Sequence, residues 1–120
     1  MNGVVDNDDR ALIEIEVSRT HRGPTSRVTA WIDTAFDGHL VFSSTLIREL
    51  QLESLVETEA ILADGTRVTL ETYVCYMEWF GRWQAMQVIS NDGRFPLLGT
   101  GLLSGRQLLI DYQSKVLSLS

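Results

Sequence analysis

The sequence predicts an all-β domain, built as a small barrel or sandwich with one or two short helices. Three observations lead to this prediction. The chain has 120 residues, 44% of them apolar, which is the size and composition of one ordinary globular domain. Many short segments alternate apolar and polar residues with the period of a β-strand. Turn signals made of glycine, proline, aspartate and asparagine separate these segments at close spacing.

The first part of the chain predicts a tail followed by a hairpin. Residues 1–9 end in an acidic, polar run, so we expect a flexible N-terminal tail ahead of a domain that spans residues 10–120. Apolar residues at every second position of residues 11–20 predict a strand with one buried face. Residues 27–33 repeat this alternation, and the glycine and proline of residues 21–26 predict the turn between the two strands.

The middle of the chain predicts one short helix and one long hairpin. The hydroxyl groups of Ser43 and Ser44 can cap a helix over residues 45–51, in which leucine and isoleucine recur at helical spacing. Residues 56–80 predict two long strands. Between them stands an Asp-Gly pair at residues 64–65, which is among the strongest short signals for a hairpin turn.

The last part of the chain predicts further short strands. We expect a turn at residues 81–82, a strand over residues 83–90 and a buried apolar segment at residues 96–99. Residues 100–105 lie between glycines and predict one helical turn. Residues 107–119 then predict a final hairpin whose four leucines serve either the core or an interface.

Charge and composition exclude several classes of function. The net charge is −6 and Lys115 is the only lysine, so broad nucleic-acid binding is disfavoured. No apolar run reaches the roughly 18 residues of a membrane span, and residues 1–10 lack the pattern of a signal peptide. A single cysteine, Cys75, excludes an internal disulfide framework. We therefore expect a cytoplasmic protein.

Two segments carry the residues with the clearest chemical potential. In residues 30–38, Asp33 stands at the end of an apolar strand and is followed by the hydroxyl of Thr34 and the small residue Ala35. A carboxylate close to the core is costly unless it is paired or hydrogen-bonded, so its presence needs a reason. One reason is a turn aspartate that caps the loop backbone, and another is catalysis. The second segment, residues 95–103, contains Leu-Leu-Gly ahead of a short helix.

The order of these motifs resembles that of the retropepsin-like aspartic peptidases. An Asp-Thr-small triplet after an apolar strand is followed by a short helix, a glycine-tipped hairpin and Leu-Leu-Gly before a second short helix. The resemblance covers roughly residues 11–112. It implies a small closed barrel of the acid-protease type and an endopeptidase that hydrolyses peptide bonds with an activated water.

The resemblance also implies roles for particular residues. Asp33 would be the catalytic aspartate, with Thr34 and Ala35 completing the active-site loop. Residues 61–68 would form a flap hairpin that covers the substrate, with Ala63, Asp64 and Gly65 at its tip. Residues 97–99 would cross behind the catalytic loop. Each subunit of such enzymes supplies one aspartate, so the implied active form is a homodimer acting on a peptide substrate without metal or cofactor.

One residue departs from the family pattern and leaves an alternative open. Ala35 stands where glycine is usual, and glycine is favoured where a loop needs unusual dihedral angles or a close backbone approach. The alternative is a weak or inactive relative that binds peptides without cutting them. A third hypothesis is a regulatory domain that stays monomeric until a partner binds.

Other candidate sites have simpler structural explanations. Gly99 and Gly101 could belong to a phosphate-binding loop, but only 15 residues follow Gly105, too few for a βαβ crossover. His21 and His39 could bind a metal with Asp37, although scattered histidines more often lie on the surface.

Two further groups are expected to be structural. Cys75 has no nearby base in the sequence and is expected in the core, and Ser43 and Ser44 are expected to cap the helix. The three aromatic residues near the turn at residues 81–82 are expected to pack across strands, with a binding patch as the alternative. They are Trp79, Phe80 and Trp83.

Overall fold

The structure, a computed structural model, describes residues 1–61, 63–93 and 95–120. These residues form ten strands and two short helices, neither of which is long and apolar enough to cross a membrane. In chain order the elements are β1 (Asn2–Val5), β2 (Ala11–Val17), β3 (Ser26–Ile32), β4 (Leu40–Phe42), α1 (Ser44–Leu50), β5 (Glu53–Ile61), β6 (Arg67–Trp79), β7 (Arg82–Ser90), β8 (Leu97–Leu98), α2 (Thr100–Leu103), β9 (Leu108–Asp111) and β10 (Val116–Leu119).

The strands form one sheet that curls back towards itself. Their order is β5-β6-β7-β4-β8-β3-β2-β1-β10-β9. Among the described residues, a single bridge joins β6 to the residue after β2: Ser18 and Tyr76 each donate a backbone N–H to the other's carbonyl, at 2.7 and 2.8 Å. One bridge is not the full ladder of a closed barrel. The mostly-β architecture with two helices is thus confirmed, and barrel closure stays a prediction.

The N-terminal residues differ from the predicted flexible tail. Residues 2–5 form β1, which pairs with β10 on one side and β2 on the other, and Val5 is buried. The segment is too short to show a strand period, and its main partner lies more than 100 residues away in sequence. Gly3 permits this close packing, because a Cβ there would meet the Leu12 carbonyl oxygen.

The long hairpins follow the predicted order with one shift. β5 and β6 pair as antiparallel strands, and their turn includes Asp64 and Gly65 as expected. The turn between β6 and β7 lies at Phe80 and Gly81 rather than at residues 81–82, because Trp79 pairs with Arg82. Both turn residues have positive φ, at 49° and 84°, which is the geometry of a two-residue type I′ turn.

The core fills the inside of the curled sheet. The alternating apolar residues of β2 and β3 face it, as their spacing predicts, and Leu117 and Leu119 of the final hairpin join them. Leu109, in contrast, is 52% exposed. The most completely buried side chains include Ile13, Ala30, Leu40, Phe42, Val88, Leu98 and Leu119.

The chain crosses itself at the strand that precedes Asp33. β3 and β4 follow each other in sequence, yet β8 lies between them, parallel to β3 and antiparallel to β4. The loop of residues 33–39 therefore has to pass over the end of β8. This arrangement places the Asp-Thr-Ala triplet beside the Leu-Leu-Gly segment, which is 64 residues further along the chain.

Candidate active site

The backbone of Asp33 is held by β8. Its N–H donates to the carbonyl of Leu98 at 2.9 Å, and two residues earlier Trp31 donates to Pro96 at 2.8 Å. The carbonyl of Asp33 accepts from the N–H of Phe36 at 3.2 Å, which closes a tight turn. Three backbone hydrogen bonds therefore determine where the strand ends and where this carboxylate is presented.

The side chain of Asp33 is half-buried and only partly satisfied. Its Oδ1 accepts a hydrogen bond from the backbone N–H of Ala35 at 2.9 Å. Across the part of the chain that the structure describes, no hydrogen bond or ion pair reaches Oδ2. Asp33 lies in a depression of about 350 Å³ that is lined by Trp31, Ile32, Asp33 and Thr34. The half-buried Asp33 carboxylate thus borders space that can hold a ligand, and its Oδ2 has no partner among the described residues.

Helix α2 holds the other side of the loop. The N–H of Thr100 donates to the carbonyl of Phe36 at 2.7 Å, and its hydroxyl donates to the same oxygen at 3.2 Å. The N–H of Gly101 donates to the carbonyl of Gly38 at 3.0 Å. The short helix and the loop are therefore connected through their backbones.

The glycines of the possible phosphate-binding loop serve this contact instead. A Cβ at Gly99 would meet the carbonyl oxygens of Gly38 and Phe36 at 2.4 and 2.6 Å. A Cβ at Gly101 would meet the same Gly38 oxygen at 2.8 Å. Such distances exclude any side chain, so glycine is required here for close backbone packing.

Thr34 and Ala35 are exposed, and Ala35 carries no backbone strain. Among the described residues, positive φ occurs in five non-glycine residues, and Ala35 is not one of them. A methyl group at this position therefore costs the isolated chain nothing in backbone conformation. The need for unusual dihedral angles, one of the two reasons for glycine, therefore does not apply to this loop.

The predicted flap tip forms a turn. The Oδ1 of Asp64 accepts from the N–H of Thr66 at 2.9 Å, and Gly65 adopts a φ of +84°. Hydrogen bonds from Thr66, first from its side chain and then from its backbone, hold the pKa of Asp64 below its usual value. Ala63, Asp64 and Gly65 are all exposed, while Leu62, within the predicted flap, lies outside the described residues.

A cationic and aromatic cluster that includes Trp31, which lines the same depression as Asp33, was not predicted. The guanidinium carbon of Arg10 lies 4.6 Å from the ring centre of Phe95 and 5.8 Å from that of Trp31. Arg10 is held by Asp6, whose Oδ2 accepts from its Nε at 2.8 Å. These residues come from three distant parts of the sequence. The signals in the sequence that could have indicated such a cluster are Trp31, just before the Asp-Thr-Ala triplet, and Phe95, just before the Leu-Leu-Gly segment.

The candidate metal ligands are engaged elsewhere. Nδ1 of His39 accepts from the N–H of Gln87 at 3.1 Å, and the His21 ring meets the edges of Tyr76 and Trp83. Over residues 1–61, 63–93 and 95–120, no three histidine, cysteine or acidic side chains gather as a metal site would require.

The remaining candidate nucleophiles are structural. Cys75 is fully buried, and burial raises the pKa of its thiol to about 12, so it is not a reactive thiolate. The hydroxyl of Ser43 accepts from the N–H of Leu46 at 3.1 Å and caps α1, as predicted.

The aromatic residues near the β6–β7 turn pack within the protein. Trp79 is buried, and Phe80 meets it edge to face at 5.0 Å between ring centres. Trp83 is half-buried beside His21. These contacts join Trp79 to its neighbour in sequence and Trp83 to the loop between β2 and β3, so packing between the aromatic residues of adjacent strands stays a prediction.

Comparison with known proteins finds similar folds among solved structures but no similar sequence. No family model and no curated protein matches the sequence. The chain is similar to the crystal structure of a retropepsin-like aspartic protease from Rickettsia conorii, with a TM-score of 0.68 and 15% sequence identity. The alignment includes 99% of this chain and 88% of that protease. It is also similar to EIAV protease in complex with an inhibitor, with a TM-score of 0.55 and 14% sequence identity. This alignment includes 82% of this chain and 89% of EIAV protease. The chain therefore has the retropepsin-like fold.

Proposed function

We propose that this protein is an aspartic endopeptidase that acts as a homodimer, with one Asp33 from each subunit. The observation that supports this most directly is the carboxylate itself. It stands at the end of β3, is held through its backbone by β8, and leaves Oδ2 without a partner among the described residues. The likeness of the whole fold to two aspartic proteases supports the same chemistry.

Hydrolysis of an amide requires an activated water and a proton for the departing nitrogen. Two adjacent carboxylates can supply both, because one is ionised and removes a proton from water while the other is protonated and polarises the carbonyl. Two like charges at short distance cannot both ionise cheaply, so the pair shares one proton. Asp33 needs such a second carboxylate.

A second copy of the chain provides the missing carboxylate. The sequence contains one Asp-Thr pair, so one chain offers half of the proposed centre. A twofold axis through this loop would place the two Asp33 carboxylates face to face, and twofold dimers are the commonest oligomers. The exposed hydroxyl of Thr34 would lie at the same axis, where it can hydrogen-bond to the partner's loop.

The hairpin of β5 and β6 would cover the bound substrate. Its turn residues Ala63, Asp64 and Gly65 are exposed, and the N–H of Thr66 donates a hydrogen bond to Asp64 within the turn. An extended peptide can pair with such a strand through its backbone, which gives affinity with little dependence on sequence. Closure would exclude water and position the scissile bond.

The backbone of Ala35 is unstrained, so alanine is compatible with the loop conformation that the proposed enzyme needs. The methyl group is exposed, so its effect would arise at the dimer axis or at the substrate. We expect an influence on rate and substrate preference rather than on folding.

The test compares Asp33→Asn with Asp37→Asn. Both aspartates lie in the same loop, but Asp37 is exposed and has no part in the proposed chemistry. Cleavage of a broad peptide library between about pH 4 and pH 7 should be lost in Asp33→Asn and kept in Asp37→Asn. Circular dichroism should show both variants folded, since an amide oxygen can replace Oδ1 of Asp33 as acceptor.

Other outcomes would favour the alternatives. A wild-type protein that binds library peptides but cuts none would be a peptide-binding module. A wild-type protein that sediments as a monomer until a partner is added would be a regulatory domain.

A further inference from the structure

One buried side chain connects β6 to the helix that holds the Asp33 loop. Trp79, at the end of β6, is only 4% exposed, and its indole Nε1 donates to the carbonyl of Leu102 at 3.2 Å. Carbonyl groups near the end of a helix have no partner inside that helix, so this one is available to an outside donor. The bond therefore attaches the last part of α2 to a strand of the sheet.

The opposite end of α2 is attached to the Asp33 loop. Thr100 and Gly101 donate to the carbonyls of Phe36 and Gly38, as described above. The helix has four residues and thus spans only about 6 Å. A displacement of its far end cannot be absorbed along so short an element, so it would pass to the loop.

The Trp79 ring is itself held in place. The ring of Phe80 meets it edge to face, and the guanidinium carbon of Arg106 lies 3.7 Å from the centre of the Phe80 ring. Phe80 has a positive φ of 49°, which is uncommon for a bulky residue. Strained conformations of this kind persist where the surrounding contacts maintain them.

We propose that Trp79 is a positioning residue for Asp33, acting through α2. This inference rests on the proposed function, because positioning matters only if Asp33 performs chemistry. β6 begins at the flap turn and ends at Trp79, so the same strand would link the substrate cover to the catalytic loop. The simpler alternative is that the hydrogen bond only satisfies a buried indole, in which case its loss would change stability alone.

The experiment compares Trp79→Phe with Trp83→Phe. Trp79→Phe removes the N–H donor and keeps an aromatic ring, and Trp83→Phe makes the same change on β7 at a half-buried ring that contacts His21. In Trp79→Phe, kcat on a peptide substrate should fall about tenfold, the rate equivalent of one hydrogen bond, while KM changes little. Amide hydrogen exchange at Thr100 and Gly101 should accelerate. Trp83→Phe should change neither.

A second variant covers the case in which Trp79→Phe does not fold. Arg106→Lys keeps the charge at an exposed position but loses the planar stacking on Phe80, so it should shift kcat and exchange in the same direction by less.

Two results separate the possible failures. If Trp79→Phe loses stability but keeps the kcat and the exchange rates of Trp83→Phe, the positioning role is wrong. If the wild-type protein cuts no peptide, the proposed function fails, and exchange at Thr100 and Gly101 still decides whether Trp79 controls the loop.

Discussion

The contact between α2 and the Asp33 loop can be tested by adding one methyl group at Gly99. A Cβ built there would lie 2.4 Å from the carbonyl oxygen of Gly38, 2.6 Å from that of Phe36 and 2.5 Å from a Phe36 ring carbon. Two of these atoms belong to the backbone and cannot rotate away. The substitution Gly99→Ala therefore has to push the helix and the loop apart.

The expected cost follows from what that separation breaks. Inserting a methyl group into a well-packed site typically costs about 1–3 kcal/mol. Separation would also weaken the hydrogen bonds from Thr100 and Gly101 to the loop carbonyls, each with a net value of about 1 kcal/mol. The free energy of unfolding should thus fall by roughly 3–5 kcal/mol, a large share of the 5–15 kcal/mol that is typical of a domain.

Urea unfolding followed by tryptophan fluorescence measures this change, with Gly93→Ala as the control. At Gly93 the nearest atom to an added Cβ is the side-chain oxygen of Asn91 at 4.0 Å, so stability should change by less than about 0.5 kcal/mol. If Gly99→Ala destabilises the protein by less than about 1 kcal/mol, the close approach that we describe between α2 and the loop is wrong.

Two further predictions concern ionisable groups. Burial raises the pKa of the Cys75 thiol to about 12. A thiol reagent at about pH 8 should therefore modify the native protein negligibly and the urea-unfolded protein fully. Equal rates of modification in the two states would contradict the burial of Cys75. The pKa of Asp6 is lowered from its usual 3.8, chiefly by the hydrogen bond from the backbone N–H of Arg10 and less by the Arg10 side chain. The ionised carboxylate therefore stabilises the fold above about pH 3.8, and this stabilisation is lost as the pH falls through the lowered pKa. Asp6→Asn should accordingly be less stable than wild type at neutral pH but not in strong acid. Unfolding of both proteins, measured across the pH range, tests this expectation. A difference in stability that is constant with pH would refute this account.

Local sequence patterns predicted most elements of this fold. The alternation in residues 11–20 identified β2 and its buried face, although the strand ends at Val17. The Asp-Gly pair identified the turn between β5 and β6. The serines before residue 45 predicted the start of α1 to within one residue, with Ser43 as the cap and Ser44 as the first helical residue. In each case the determining interaction lies within a few residues along the chain, so the sequence displays it directly.

Patterns failed where the determining contact is distant in sequence. β1 is short, contains Gly3, and depends on pairing with β10 at the other end of the chain. The turn at Phe80 and Gly81 was misplaced by one residue, because the pairing of Trp79 with Arg82 set the register. The pairing of β1 with β10 and the pairing of Trp79 with Arg82 cannot be predicted from the residue types of the neighbouring positions.

The sequence by itself determined the type and order of most elements and the presence of one Asp-Thr-Ala triplet at the end of an apolar strand. The tertiary structure decided what surrounds that triplet. It placed β8 between β3 and β4, required glycine at residues 99 and 101, and brought Arg10 to Trp31. The physical reason is range: strand period, caps and turns act between near neighbours, whereas the surroundings of Asp33 are built from segments that only folding brings together.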